Sequence, residues 1–320
     1  MNIYAKLSSK TTVNAPFNDP TDNVDLVIRT ADNVDFFVLS ALLSLRSPSS
    51  FFRQILPGNT NTEDRDGFPV LEVKENSDIF RTMLLFCYPY DTPEIKSVPQ
   101  IVELGAVLDK YCMDQAMERF IAAVLASSVI SQQPLRVFAL AVANRWKQVV
   151  KAAARNTLDR VISDVEELKE ISARHLYRLK DYHVRCREAA QIQPEILPPL
   201  PWLSGQTSGL QFLHHDTAKC RWCNGMITLA ACGEDVGLYS HTWLIDTYFR
   251  LVNAKVLSSG PLPQAALDDY IIDQAVLAST KECRRDQWSE IADSQIRRLG
   301  KIVAEEINMR VSEVPLDIEW

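Results

Sequence analysis

VDLVIRTADNVDFFVLSALLSLRSPSSFF, residues 24–52, holds two runs of β-formers, Val24 to Thr30 and Val34 to Leu39, on either side of the turn-prone Ala31-Asp32-Asn33. Strand formers flanking a short polar turn predict a β-hairpin. Helical signals follow at once. Ser40 is placed to cap a first turn, Ala41, Leu42, Leu43 and Leu45 give it an apolar face, and Ser47-Pro48-Ser49 ends it and caps a second helix carrying Phe51, Phe52, Ile55 and Leu56.

Outward from this stretch, Pro57 to Asp66 is polar and turn-rich and reads as a solvated loop before a strand ending at Val70 to Val73. Ser77 to Cys87 opens on a Ser cap and repeats Ile79, Phe80, Met83, Leu84 and Phe86 at helical spacing. Two more helices are expected, Pro99 to Asp109 and one opened by Asp114 with Met117, Phe120, Ile121, Val124 and Leu125 inward. Phe36, Val38, Leu43, Phe51, Phe52, Leu84 and Phe86 are the expected core. Met1 to Pro20 lacks periodicity and reads as a loose arm.

This order of elements resembles the BTB/POZ domain, and most closely the BTB proteins of mushroom-forming fungi. The matching residues are Asp25, Phe36-x-Val38, Ala41-x-Leu43, the Ser47-Pro48…Phe51-Phe52 knuckle, Asp66 to Val73, Phe80-x-x-Met83-Leu84-x-Phe86-Cys87-Tyr88-Pro89, and the later Pro134-Leu135-Arg136-Val137. The resemblance implies an α+β domain, a small sheet with helical hairpins, over residues 17–126, followed by a mainly α-helical region. It also implies protein contacts through Asp25, Leu39, Ser40, Phe80 and Tyr88. Many BTB domains place His and then Lys or Arg after the second strand, forming a charged pocket with the Asp; here those positions are Leu39 and Ser40. Read without a partner, Asp25 is a strand-end carboxylate bonded to backbone.

The expected organisation is a flexible arm at 1–16, the BTB/POZ domain at 17–126, a helical extension at 127–192 similar to the BACK region, a proline-rich linker at 193–201, and a helical domain at 202–320. Ala139, Ala141, Ala143, Ala152, Ala153 and Ala154 allow close helix packing in the extension. His175, Tyr182, His183 and Cys186 sit among Arg174, Arg178, Arg185 and Arg187, which would repel a divalent cation, so this helix reads as a solvated basic face. Gln193 to Pro201, with four prolines, favours extended structure. Helices are expected at His241 to Ser258, Pro261 to Ser279 and Cys283 to Val311, the last packing back on its own domain; apolar-acidic Val314 to Trp320 can dock as an extended segment.

Cys220-x-x-Cys223 has the spacing at which two thiolates of one turn bind a single zinc, and Asn224-Gly225 suits that turn. Two further ligands are needed, from Cys283 with Asp286, Cys232, His241, His214 or His215. The fungal relatives resembled here often carry a second Cys-x-x-Cys late in the chain, where this sequence has Cys283 and then Asp286. A Cys₃Asp site, a Cys₃His site and a lost site all remain open, as does a plain pair of buried thiols. No cofactor other than a structural zinc is indicated.

The chain has 320 residues, 47% apolar and 23% charged, which suits about two folded domains. A net charge of -7 argues against a polyanion partner, since nucleic-acid binding rests on Lys and Arg meeting phosphates. Seven Cys without a dense even framework point to a reducing compartment, cytoplasm or nucleus, and no stretch has the length of a membrane span. No G-x-S-x-G, H-E-x-x-H or nucleotide-binding glycine motif is present. The expectation is an interaction protein rather than an enzyme. As the resemblance implies, the BTB domain would self-associate, pair with other BTB proteins, or act as a substrate adaptor on a cullin-based ubiquitin ligase; the alternative is a transcription-linked scaffold.

Overall fold

The computed structural model describes residues 11–46, 52, 64–193, 201–204, 209–214, 227–229, 238–240 and 242–320. Contacts divide the chain into a first unit reaching Ala153 and including Val165–Glu170, and a second made of Ala154–Asp164 and Ile171–Trp320. No helix among the described residues is long and apolar enough to cross a membrane.

The first unit is built on a mixed five-stranded sheet of order β1-β3-β2-β5-β4. Its strands are β1 (Thr11–Thr12), β2 (Leu26–Arg29), β3 (Val34–Val38), β4 (Asp64–Arg65) and β5 (Phe68–Glu72). The expected hairpin is present: β2 and β3 run antiparallel with Val27 opposite Phe37 and Ile28 opposite Phe36. Asn33 takes the left-handed conformation at the turn, φ 61°, which Asn tolerates better than most residues. β5 lies parallel to β2, with Val70 beside Val27. Because side chains alternate across a strand, Val27, Phe37 and Val70 share one face while Ile28, Phe36 and Leu71 share the other. All six are buried, so both faces of the sheet are covered. β4 reaches β5 through Asp66-Gly67, whose φ values of 56° and 87° are the pair a type I′ hairpin turn demands. Part of the stretch read as a loose arm lies in the sheet, since β1 pairs parallel with β3.

Helices α1 (Ser40–Arg46), α2 (Ser77–Cys87), α3 (Val98–Lys110), α4 (Asp114–Ala126), α5 (Val129–Gln132) and α6 (Pro134–Ala143) follow, then α7 (Lys147–Asn156). Neither Ser40 nor Ser77 caps its own helix as the sequence suggested. Both open helices whose first N–H groups are met by a carboxylate from the hairpin: Asp25 accepts from Ser40 N and Oγ, each at 2.6 Å. Asp32 accepts from Ser77 N at 3.0 Å and Oγ at 2.6 Å. A negative group at a helix N-terminus satisfies orphan donors and complements the helix dipole. Burial works against the Asp32 charge, but its hydrogen bonds from Ser77 and Thr30 hold the carboxyl below the usual range. Phe36, Val38, Leu43, Phe52, Leu84 and Phe86 are fully buried as expected. Phe51, and the second helix expected around it, lie outside the described residues.

In the second unit, α8 (Ala173–Ala190) is followed by the short α9 (Pro201–Ser204), a two-stranded ribbon of β6 (Ile227–Leu229) and β7 (Leu238–Ser240), and then α10 (Arg250–Ser259), α11 (Asp269–Glu282) and α12 (Asp286–Glu313). The helix expected from His241 to Ser258 runs unbroken from Thr242 to Ser259, with a π-helical widening over Leu244–Phe249 that leads into α10. Glu282 receives Trp243 N at 2.9 Å, so this helix too begins on a distant carboxylate. Along α12, Ile296, Leu299, Val303 and Ile307 are fully buried, and the long apolar stripe packs within its own unit. Residues 194–200, most of the expected linker, lie outside the described residues.

Candidate interaction face

Asp25, Leu39, Ser40 and Tyr88 come together where β3 passes into α1. The Asp25 carboxylate, which in the resembled domains faces a basic side chain, is here spent on the backbone and hydroxyl of Ser40. Tyr88 accepts from Leu39 N at 2.8 Å, and its hydroxyl lies 3.4 Å from the Leu39 carbonyl. Burial pushes the Tyr88 phenol well above its ordinary range, so it stays protonated. Where the resembled domains pair the carboxylate with a basic side chain, this site closes it with hydrogen bonds from within the domain.

Beside it lies an open cavity of about 190 Å³ whose walls include Phe17, Val24, Leu39, Leu42, Tyr88 and Tyr90. Tyr88 and Tyr90 stack with ring centres 5.9 Å apart and planes within 3°. Phe17 meets both edge-on, at 5.1 and 5.9 Å, a geometry the ring quadrupoles favour. Arg119 holds this wall in place. Its guanidinium donates to the carbonyls of Phe86 at 2.7 Å, Tyr88 at 2.6 Å and Tyr90 at 3.0 Å, collecting the unsatisfied C-terminal end of α2 and the turn after it. Tyr90 is 38% exposed and Leu42 is half-buried, so the cavity presents apolar surface to an incoming chain.

Phe80 does not belong to this face. It is fully buried, with its ring 5.6 Å from Phe36 and 6.4 Å from Tyr111. Its role is packing, because the i, i+3, i+4 stripe it shares with Met83 and Leu84 points to the sheet.

Sequence reasoning missed an ion cluster on the neighbouring sheet edge. Asp35, fully buried, takes a two-pronged bond from buried Arg29 opposite it, Nε to Oδ1 at 2.7 Å and Nη2 to Oδ2 at 3.0 Å. Arg65 also donates to Asp35, and its Nη2 reaches Thr12 Oγ1 at 3.1 Å. The Asp35 carboxylate thus ties β3 to β2 and β4, and Arg65 carries the link on to β1. The only sequence signal was a charge beside the apolar Phe36-Phe37 pair.

The metal assignment falls largely outside the described residues: Cys220, Cys223, His215, Cys232 and His241 all do. Cys283 is buried at the end of α11, His214 ends a short 3₁₀ turn, and Asp286 opens α12. Among the described residues no group of His, Cys, Asp and Glu is gathered to hold a metal ion.

On α8 the solvated basic face holds for the exposed Arg174 but is corrected for its neighbours. Tyr182, His183 and Cys186 are buried, because α8 has two unlike sides and these residues lie on the one packed inward. His183 Nε2 is 2.8 Å from the buried Thr157 hydroxyl. Burial, with help from Arg187, pushes the imidazole down from 6.5 to about 4. The unfolded chain therefore binds this proton first, so stability present above pH 6.5 is lost as pH falls toward 4. The loss is on the order of 3 kcal/mol, at roughly 1.4 kcal/mol per pH unit. We expect thermal unfolding of the second unit to become easier across that window, and His183→Gln to flatten the dependence; an unchanged slope in the variant would assign the titration elsewhere.

Residues 14–125 match the BTB/POZ domain family, and this part of the chain is a BTB/POZ domain. The family is one of protein-interaction domains. No curated protein matches the chain.

Proposed function

We propose that this protein is an adaptor whose BTB/POZ domain makes contacts with a second BTB domain, through self-association, or with a cullin-based ubiquitin ligase, while the helical second unit carries the partner-specific surface. The observation that supports this most is the family match at 14–125 together with the open aromatic cavity beside Leu39 and Tyr88. Hydrogen bonds within the domain already satisfy Asp25 and Tyr88, so recognition here rests on apolar shape rather than charge. Aromatic side chains half-open to solvent are the residues that most often dominate such contacts. This reading assigns no catalytic role to the chain.

Native mass spectrometry before and after a strong chelator tests it. A dimer is expected, and Tyr90→Ala is expected to weaken it by at least about tenfold, the effect of losing one interfacial aromatic. A monomer that retains a cullin amino-terminal domain in a pull-down would favour the ligase arm; a monomer that retains neither a cullin nor a second BTB domain overturns the proposal. The same spectra count zinc. One ion per chain, lost on chelation and absent from a Cys220→Ser, Cys223→Ser variant, would place a structural zinc on that pair.

A further inference from the structure

The arginine side of α8 is occupied by the chain itself. After α12 ends, residues 314–320 run back along α8 without regular structure. Arg310 Nη1 donates to Gln191 O at 3.2 Å at one end of α8, Asp317 pairs with Arg185 at 3.1 Å, and Glu319 pairs with Arg174 at 2.7 Å near the other end. Arg178 lies 3.5 Å from the same Glu319 carboxylate, and His175 Nε2 is 3.0 Å from the Glu319 carbonyl. The lengths agree. Seven extended residues cover about 23 Å at ~3.3 Å each, and an 18-residue helix is about 27 Å long.

The segment has the alternation of a bound peptide. Val314, Leu316 and Ile318 are half-buried, while Pro315, Asp317 and Glu319 are exposed. Its hold is weak. The Arg174 and Glu319 side chains are 62% and 60% exposed, and ion pairs in water contribute little and are screened by salt. The segment forms no strand pairing; Ile318 N donates only locally, to Leu316 O at 3.2 Å. The face also offers more than this occupant uses, since Arg178 Nε is buried without a hydrogen-bond acceptor.

We infer that this side of α8 is a receptor for an extended acidic peptide of a partner protein, alternating apolar and acidic residues, and that residues 314–320 close it as an internal competitor. The partner displaces the segment by supplying carboxylates to Arg174, Arg178 and Arg185 and apolar side chains in place of Leu316 and Ile318. An otherwise acidic chain thus keeps the carboxylate-binding groups of a basic strip paired until such a peptide arrives.

The test uses the full chain, a fluorescent peptide of sequence VPLDIEW and its neutral counterpart VPLNIQW. In anisotropy titrations the D317N/E319Q chain is expected to bind the acidic peptide roughly tenfold more tightly than the unaltered chain, the response to losing one or two exposed ion pairs. Binding should weaken with added salt and disappear when Arg174→Glu and Arg178→Glu are added. A second variant, L316S/I318S, releases the apolar side in case neutralising the charges leaves the segment seated. If neither variant binds the peptide, the segment is a permanent part of the fold and the inference fails. Equal binding of the neutral peptide overturns the charge-based recognition, and equal binding by the unaltered chain overturns the internal competition.

Discussion

Replacing Asp35 by Ala lowers the stability of the first unit by about 3–5 kcal/mol, the loss seen when one partner of a buried ion pair is removed. The size follows from what is left behind. Arg29 is 3% exposed and loses a bidentate acceptor, and Arg65 loses its reach across the sheet edge. A guanidinium cannot shed its proton to escape, as a buried lysine can, so the desolvation cost stays in the folded state. Asp35→Val combined with Arg29→Met should recover part of the loss, because the fully buried charge pair is gone and only the more exposed Arg65 is left without its carboxylate. Hydrogen exchange of the β2 and β3 amides reads the effect. A change in the single variant below about 1 kcal/mol would mean that water reaches the cluster and that it behaves as a surface pair.

Phe80→Ala is expected to cost a similar amount, about 3–5 kcal/mol, from lost burial and the cavity left behind. Phe80 stands between the sheet and α3, its ring against Phe36 on one side and Tyr111 on the other. Tyr111 cannot follow into the gap, since its hydroxyl donates to Glu75, which also receives Lys110. The variant separates two roles for this position. A residue used for partner contact would lose association and keep its melting temperature; Phe80 should lose melting temperature, whereas Tyr90→Ala should leave it nearly unchanged.

The parts legible in the sequence were those set by local pattern. Val34 to Val38 and Ser77 to Cys87 carry their periods in a few consecutive residues, and both elements lie where the spacing places them. What escaped depended on pairing at a distance. Asp25 finds Ser40 and Asp32 finds Ser77, so the caps were assigned to the serines although the acceptors come from the hairpin. Asp35 drew no reading at all, because nothing local says that Arg29 stands opposite it and Arg65 arrives from another strand. α8 was read only in part for the same reason: its arginines repeat openly in the sequence, but nothing local says that Thr157 meets His183 or that Glu319 pairs with Arg174. Of the expected interaction residues, Asp25, Leu39, Ser40 and Tyr88 gather in one place, and Phe80 shows that an aromatic on a helical stripe is core before it is contact.

The sheet's mixed order also bears on how the chain acquires its shape during synthesis. β2 and β3 adjoin in sequence and can pair as soon as both have left the ribosome, but β2's other neighbour is β5, so Val27 must wait for Val70. Closing so distant a contact is entropically slow compared with zipping a hairpin. Until it closes, a nascent ribbon bearing Val27 and Ile28 offers an unpaired edge and two greasy faces to every other polypeptide nearby. Slower translation across residues 40–72 should therefore lengthen the time this edge stays open, and chaperone supply during that interval should raise the yield of soluble protein.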